Sequence, residues 1–196
     1  MKTILKIDAS ARKNGSISRE LSERLTNHLA TQEIETEVID RDLSEGVSLL
    51  TEAHIGAFYT PADKRSQEQR DLLTESNLLV SELQKADTIV LATPMYNFGV
   101  PASLKAYFDL VARVGLTFKY SEKGPKGLLE GKKAYVIIAT GGTALESAID
   151  YTSGHIKTFL GFVGISDVEF IPADQMMFKA EEQLTKAHKL IAEATL

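Results

Sequence analysis

Three short segments of this chain carry side chains able to do chemistry together. The first is the loop Ala9–Ser18, with Ser10, Ser16 and Ser18 as hydroxyl donors and Arg12 and Gly15 between them. If it opens a helix, unpaired N–H groups and a partial positive charge make an anion site there. Gly15 lets the backbone approach closely, and Ile17 contributes a main-chain N–H, so a terminal phosphate fits. The plain alternative is that Ser16 or Ser18 only caps the helix. The loop matches neither G-x-x-x-x-G-K-[ST] nor G-x-G-x-x-G, which disfavours ATP and a standard dinucleotide fingerprint. The second segment is Pro94-Met95-Tyr96-Asn97-Phe98, which offers aromatic faces, a side-chain amide and backbone N–H groups released from a strand. That lining suits a flat heteroaromatic ring with a polar edge. The third is Ala139-Thr140-Gly141-Gly142, where paired glycines let a planar ligand lie against bare backbone. A Gly-Gly pair alone is a weak signal, because turns use it constantly; its position gives it value.

Each segment follows an expected strand. Ile4-Leu5-Lys6-Ile7 is the first, and Ile89–Ala92 and Ala134–Ala139 lack polar alternation, as expected of strands buried on both faces of a parallel sheet. Pro94 cannot donate a ladder hydrogen bond and should stop its strand. Two further strands are expected near Thr36–Ile39 and Val168–Ile171. Helices are expected at about Ser18–Ala30, with Leu21, Leu25 and Leu29 at four-residue spacing, and from Ser66, where Gln69 completes a capping-box pattern. The latter helix carries Leu72, Leu73, Leu79, Val80 and Leu83 on one face. Pro101 opens a helix to about Val111, and others cover Ala148–Leu160 and Lys179–Ala194. The stretch Arg41–Arg65 is polar and irregular, with a short helix around Ala53–Phe58. Five strands alternating with helices define a three-layer α/β fold with right-handed crossovers. Ligands in such folds sit beyond the carboxyl ends of the strands, so the three segments should converge on one rim.

Composition narrows the function. The 196 residues suffice for one domain with a full core. A net charge of −5 with no Lys/Arg-rich block disfavours nucleic acid as a partner. No apolar run approaches the roughly 20 residues that span a bilayer, and Lys6 and Asp8 interrupt the N-terminal run before it resembles a signal peptide. There is no cysteine, hence no disulfide or thiolate chemistry, and a cytoplasmic location is expected. The four histidines lack metal-ligand spacing, and no metal site is expected. Asp109 reads as a helix-packing partner. Phe118, Tyr120, Phe159, Phe162 and Phe178 are numerous for the loops and helix ends that hold them. Some belong to the core, and some form an exposed patch of the kind that marks an interface or a substrate surface.

The residues Ser10, Ser16-Ile17-Ser18, Pro94-Met95-Tyr96-Asn97-Phe98, Leu104 to Arg113, Gly131 to Ala134 and Thr158 to Phe162 occur in an order that resembles one known family. This is the family of bacterial FMN-dependent NADH:quinone oxidoreductases that also act as azoreductases, on a flavodoxin-like fold. The likeness covers nearly the whole chain and is most specific from Met95 to Arg113. It implies a flavodoxin-like three-layer sandwich with a five-stranded parallel sheet in the order 2-1-3-4-5, one FMN-binding domain across residues 1–196. It implies that Ser10 and Ser16 to Ser18 hold the FMN phosphate. Pro94 to Phe98 would flank the ring, and Ala139, Thr140, Gly141 and Gly142 would meet its pyrimidine end. It also implies a homodimer with two shared sites. Many relatives carry Ser-Arg-Gly-Gly where this chain has Ala139-Thr140-Gly141-Gly142, which removes a charged contact, and Tyr59 stands where some place an arginine.

The expected activity is two-electron transfer from NADH or NADPH to quinones, and in successive cycles reductive cleavage of azo bonds, in ping-pong order. The cofactor carries the redox chemistry, so no classical catalytic residue is nominated; Asn97, Tyr120 and Phe162 are the candidate substrate contacts. Two rivals stay open. A flavodoxin-like electron carrier serving partner proteins is usually shorter and more acidic. A flavin-free receiver domain needs an aspartate ending the third strand, where this chain has Thr93-Pro94.

Overall fold

The computed structural model describes residues 1–33 and 35–196. The apolar runs lie side by side as β1 (Lys2–Asp8), β2 (Thr36–Asp42), β3 (Thr88–Pro94), β6 (Lys133–Ala139) and β7 (Asp167–Ala173). All neighbouring pairs are parallel. The order across the sheet is β2-β1-β3-β6-β7, which differs in detail from the expected 2-1-3-4-5. The difference is an antiparallel hairpin, β4 (Phe118–Ser121) and β5 (Gly124–Gly127), which stands fourth and fifth in the chain and pairs outside the main sheet.

Helices cover both faces, and this is why β3 and β6 carry unbroken apolar runs. Leu5, Ile89, Leu91 and Val136 point into one layer with Leu79, Leu104 and Ile156. Ile4, Val90, Ala92 and Ile137 point into the other with Leu21, Leu25 and Ile191. Thus α1 (Ile17–Ala30) and α7 (Met176–Glu193) pack on one side, and α4 (Thr74–Lys85), α5 (Ala102–Val111) and α6 (Ser153–Val163) on the other.

Several boundaries differ from expectation for local reasons. The Ser66–Gln69 capping box forms, but its helix, α3 (Gln67–Leu72), ends before α4 begins. The Thr74 hydroxyl bonds back to the Arg70 carbonyl at 3.3 Å, a competition that bends helices. The Arg41–Arg65 stretch holds α2 (Glu52–Tyr59), with a Thr51–His54 capping box, and one 3₁₀ turn, Ala62–Lys64. Helix α6 starts at Ser153 rather than near Ala148, because the Asp150 carboxylate accepts from the Thr152 and Ser153 N–H groups at 2.9 and 3.0 Å. Helix α7 starts earlier than Lys179, with an irregular first turn described below.

Arg113, from the most specific stretch of the sequence, is buried. It donates to Ser76 Oγ and Asn77 Oδ1 at 2.5 and 3.2 Å and stacks 4.3 Å over the Phe58 ring. Burial pushes its guanidinium down to about 10, assisted by the charge of Arg65. Its carbonyl accepts from Thr117 N at 2.9 Å and its own N–H donates to Thr117 Oγ1 at 2.9 Å. One residue therefore joins α4, α2 and the approach to the hairpin. Asp109 pairs with Lys105 at 2.6 Å on the same helix.

The hairpin docks where Gly127 lies against Gly164, the left-handed residue (φ 104°) that ends α6. A β-carbon on Gly127 would lie 2.1 Å from the Gly164 nitrogen, with backbone on every near side. We expect Gly127→Ala to cost about 3 kcal/mol by overpacking. Denaturant melts of the two proteins check this; an unchanged midpoint would show that the hairpin docks differently.

Candidate functional site

The parallel register brings the strand ends to a common rim. Ala92 pairs with Asp8, and Pro94 with Ala139. Beyond that rim lies a cleft of about 330 Å³. It is lined by Ser10, Arg12, Gly15, Ser16, Ile17 and Ser18 from the β1–α1 loop, by Pro94, Met95 and Tyr96 after β3, and by Ala139, Thr140 and Gly141 after β6. Asn97, Phe98 and Gly142 continue these lining segments outside the cavity itself. The three predicted segments therefore do converge.

At the first segment, Ser16 occupies the N-cap position of α1 with extended backbone, yet its side chain makes no capping bond. Its hydroxyl instead lies 3.2 Å from that of Ser18, and both side chains are buried, as is Ser10. The opening N–H groups of α1 thus lack a side-chain acceptor, and buried hydroxyls surround them. This answers the capping alternative. Gly15 adopts φ 65°, in the left-handed region, which lets the loop close over the helix end.

The loop is held from beneath. Arg19 donates to the Ser10 carbonyl at 2.8 Å and to both Asp42 oxygens at 2.5 and 3.0 Å. Asp8 accepts from Ser22 Oγ at 2.8 Å and lies within 4 Å of Lys6 and Arg19. Burial raises the Asp8 pKa, with Ser22, Lys6 and Arg19 pulling the other way. Asp42 is also opposed by burial, but bonds from Arg19 and Ser44 outweigh it and hold the carboxyl at about 2.

At the second segment the chain turns back within four residues. Tyr96 N donates to Gly99 O at 2.9 Å and Gly99 N to Tyr96 O at 3.1 Å. Asn97 and Phe98 between them have φ of 50° and 70°, the conformation a two-residue I′-type hairpin demands. For a bulky residue such as Phe98 this is a strained state, which folds retain at functional sites. The third segment is bound to the end of β7. Thr140 N donates to Ala173 O at 3.1 Å, and Gln175 N donates to Thr140 Oγ1 at 3.0 Å.

Tyr120 and Phe162 stand apart from this cleft. Phe118 packs 4.5 Å from Phe162 and 5.6 Å, edge-on, from Tyr120, so the three form a cluster between hairpin and α6. Phe118 is buried, Phe159 stacks on Phe108 at 4.0 Å, and Tyr120 and Phe178 are exposed. Tyr59 stands beside Tyr120, and its phenol raises the Tyr120 pKa. Met176 and Met177 line the cleft but were not anticipated. The signal was positional: they follow the fifth sheet strand at the same rim. Among the described residues no group of His, Cys, Asp or Glu is arranged to hold a metal ion. Among the described residues no helix is long and apolar enough to cross a membrane.

A parallel sheet with helices on both faces, whose cleft opens where the strand order reverses between β1 and β3, defines a flavodoxin-like protein. Residues 2–195 match the family described as having the flavodoxin-like fold. The FMN-dependent NADH:quinone oxidoreductase 1 of Hahella chejuensis is 52% identical over 192 residues, 98% of this chain and 94% of that protein. Its counterpart in Jannaschia sp. is 51% identical over 177 residues, 90% of each. A crystal structure of azoreductase from Bacillus anthracis str. Sterne superposes with a TM-score of 0.89 at 24% identity, covering 98% of both chains, a likeness of fold. A FMN-dependent NADH-azoreductase from Bacillus anthracis, solved in complex with FMN, has a TM-score of 0.87 at 23% identity, covering 98% of this chain and 97% of that one. The chain belongs to the FMN-dependent NADH:quinone oxidoreductase family.

The Arg19–Asp42 pair can be tested by pH. The Asp42 pKa lies below its ordinary 3.8, so its stabilising contribution is complete above about pH 4 and is lost as pH falls toward 2. Asp8, raised by burial, has the opposite sign: its cost is relieved as it protonates. Asp42 is 43% exposed, so solvent screening limits its contribution to about 1 kcal/mol. We expect Asp42→Asn to lower stability by that amount at pH 7. The gap from wild type should close between pH 4 and 2 in paired thermal melts.

Proposed function

We propose that this chain is an enzyme that binds FMN in the cleft and transfers two electrons from NADH, or NADPH, to small quinones, and in successive turnovers to aromatic azo compounds. The observation that carries the reading is the uncapped start of α1, ringed by buried Ser10, Ser16 and Ser18 and sharing one cleft with Pro94, Met95 and Tyr96, which lead into the strained Asn97–Phe98 turn. An anion site and a planar-ring site lining one cleft on one sheet rim suit a flavin mononucleotide, and the named activity of relatives up to 52% identical agrees.

In this assignment Ser10, Ser16, Ile17 and Ser18 hold the phosphate through hydroxyl and main-chain donors. Pro94, Met95, Tyr96, Asn97 and Phe98 flank the ring system, and Ala139, Thr140, Gly141 and Gly142 offer backbone to its polar edge. FMN supplies the two-electron relay when bound. The protein binds it, orients it and keeps the cleft dry. A single cleft leaves donor and acceptor to use one space in turn, which gives ping-pong order. The Asn97 amide also contacts substrate.

The protein acts as one FMN-binding domain across residues 1–196, in the cytosol, and as a homodimer whose second copy completes each site. Exposed Tyr59 and Tyr120, which stand beside each other, support the pairing as an uncovered aromatic surface. Tyr120 and Phe162 then serve as acceptor walls across that interface.

The purified protein should be yellow, and anaerobic NADH should bleach it; a colourless protein that takes up no FMN sinks the reading. Losing one charge-assisted hydrogen bond costs roughly 1.5–3 kcal/mol. Ser16→Ala should therefore weaken FMN retention by about tenfold or more in a fluorescence titration. Asn97→Ala should mainly slow flavin reduction in stopped flow. If both variants match wild type, the site assignment is wrong. A Tyr120→Ala/Phe162→Ala protein should show altered acceptor KM or kcat, and unchanged values would remove those walls.

A further inference from the structure

We infer that the Met176–Phe178 turn is the acceptor-selecting wall of this cleft, and that its thioether and phenyl faces favour neutral apolar quinones over anionic ones. This rests on the function proposed above and names the substrate class for the same site.

Three observations carry it. First, the turn is aimed by the glycine loop rather than by helix packing. Gln175 N donates to Thr140 Oγ1 at 3.0 Å, Met176 N to Thr140 O at 3.0 Å, and Met177 N to Gly141 O at 2.9 Å. Lys179, at φ −134° and ψ 30°, breaks α7 immediately afterwards and separates this first turn from the regular helix. Second, the side chains cover the two glycines. A β-carbon on Gly141 would meet Met177 Sδ at 3.3 Å, and one on Gly142 would meet the Phe178 ring at 3.3 Å. Third, Met177 lines the cleft and is still 77% exposed, so a pinned backbone presents a flexible, polarizable group to whatever enters.

The charge pattern sets the preference. Among the described residues that line the cleft, Arg12 alone carries a formal charge, and it belongs to the phosphate end. At the opposite end Thr140 is consumed as a clip, its hydroxyl donating to the Thr143 carbonyl and accepting from Gln175 N. A sulfonated acceptor entering there meets sulfur, ring and bare backbone, with no lining cation to offset its desolvation. A neutral naphthoquinone loses nothing comparable and gains contact with the thioether.

The test uses the holoenzyme with menadione and 1,2-naphthoquinone-4-sulfonate as acceptors. Met177→Lys should shift the ratio of their kcat/KM values toward the sulfonate by about tenfold, whereas Met177→Leu should hold it within about twofold. A readout independent of turnover is peroxide footprinting of oxidised holoenzyme without NADH. Met1 is 81% exposed and serves as the internal reference. Menadione should slow sulfoxide formation at Met177 by about threefold relative to Met1. If the protein holds FMN and is bleached by NADH but the ratio is unmoved and Met177 stays unprotected, the wall is refuted and the function stands. If it holds no FMN, both fall.

Discussion

The structure depends on one constraint: five parallel strands, the central three of them buried on both faces, run out of ladder partners at the same rim. Each backbone group just past that rim must find an acceptor or donor without water's help. Most do so by borrowing from the neighbouring strand's end. Ala9 N reaches Ala92 O, Leu43 N reaches Asp8 O, Met95 N reaches Ala139 O, and Thr140 N reaches Ala173 O. These four bonds fix the loops relative to one another before any side chain is considered. The start of α1 is left open as well: its N-cap side chain makes no capping bond, as is also true of α5, α6 and α7, but only at α1 do three buried serine hydroxyls stand beside it. That opening is set at the point where the strand order reverses.

Electrostatics at that opening are less favourable than a bare helix terminus suggests. The carboxylate of Asp8 lies at the end of β1, close to the place where an anion would sit, and its burial favours the neutral form. Lys6 and Arg19 offset it, and Arg19 does so while gripping the Ser10 carbonyl and Asp42. A single guanidinium therefore ties the ends of β1 and β2 to the first turn of α1.

Much of this was legible in the sequence, and the exceptions share a cause. Ile89–Ala92 and Ala134–Ala139 announced themselves because burial on two faces leaves no polar alternation, and the Ser66–Gln69 box forms as its spacing predicts. The convergence of Ser10–Ser18, Pro94–Phe98 and Ala139–Gly142 followed from topology alone. The hairpin was not legible: each strand has four residues, most of them exposed, and its stability comes from Phe118 on Phe162 and Gly127 on Gly164, contacts distant in sequence. The contribution of Met177 was hidden likewise. Helical periodicity places the start of α7 near Lys179, and only the bonds to Thr140 and Gly141 draw the preceding turn over the cleft.

Two halves of the molecule consequently do different work. On the α1 and α7 side, hydrogen bonds from main chain to main chain set positions to within the tolerance of a ladder. On the α5 and hairpin side, position rests above all on Arg113, whose buried guanidinium joins α4 and α2 without a carboxylate among its hydrogen-bond partners, while its main chain holds Thr117 on the approach to β4. A buried cation held by a hydroxyl, an amide oxygen and a ring is a directional device, and its geometry fails if any one partner shifts. That asymmetry suits the chemistry proposed. A tightly held nucleotide benefits from a rigid half.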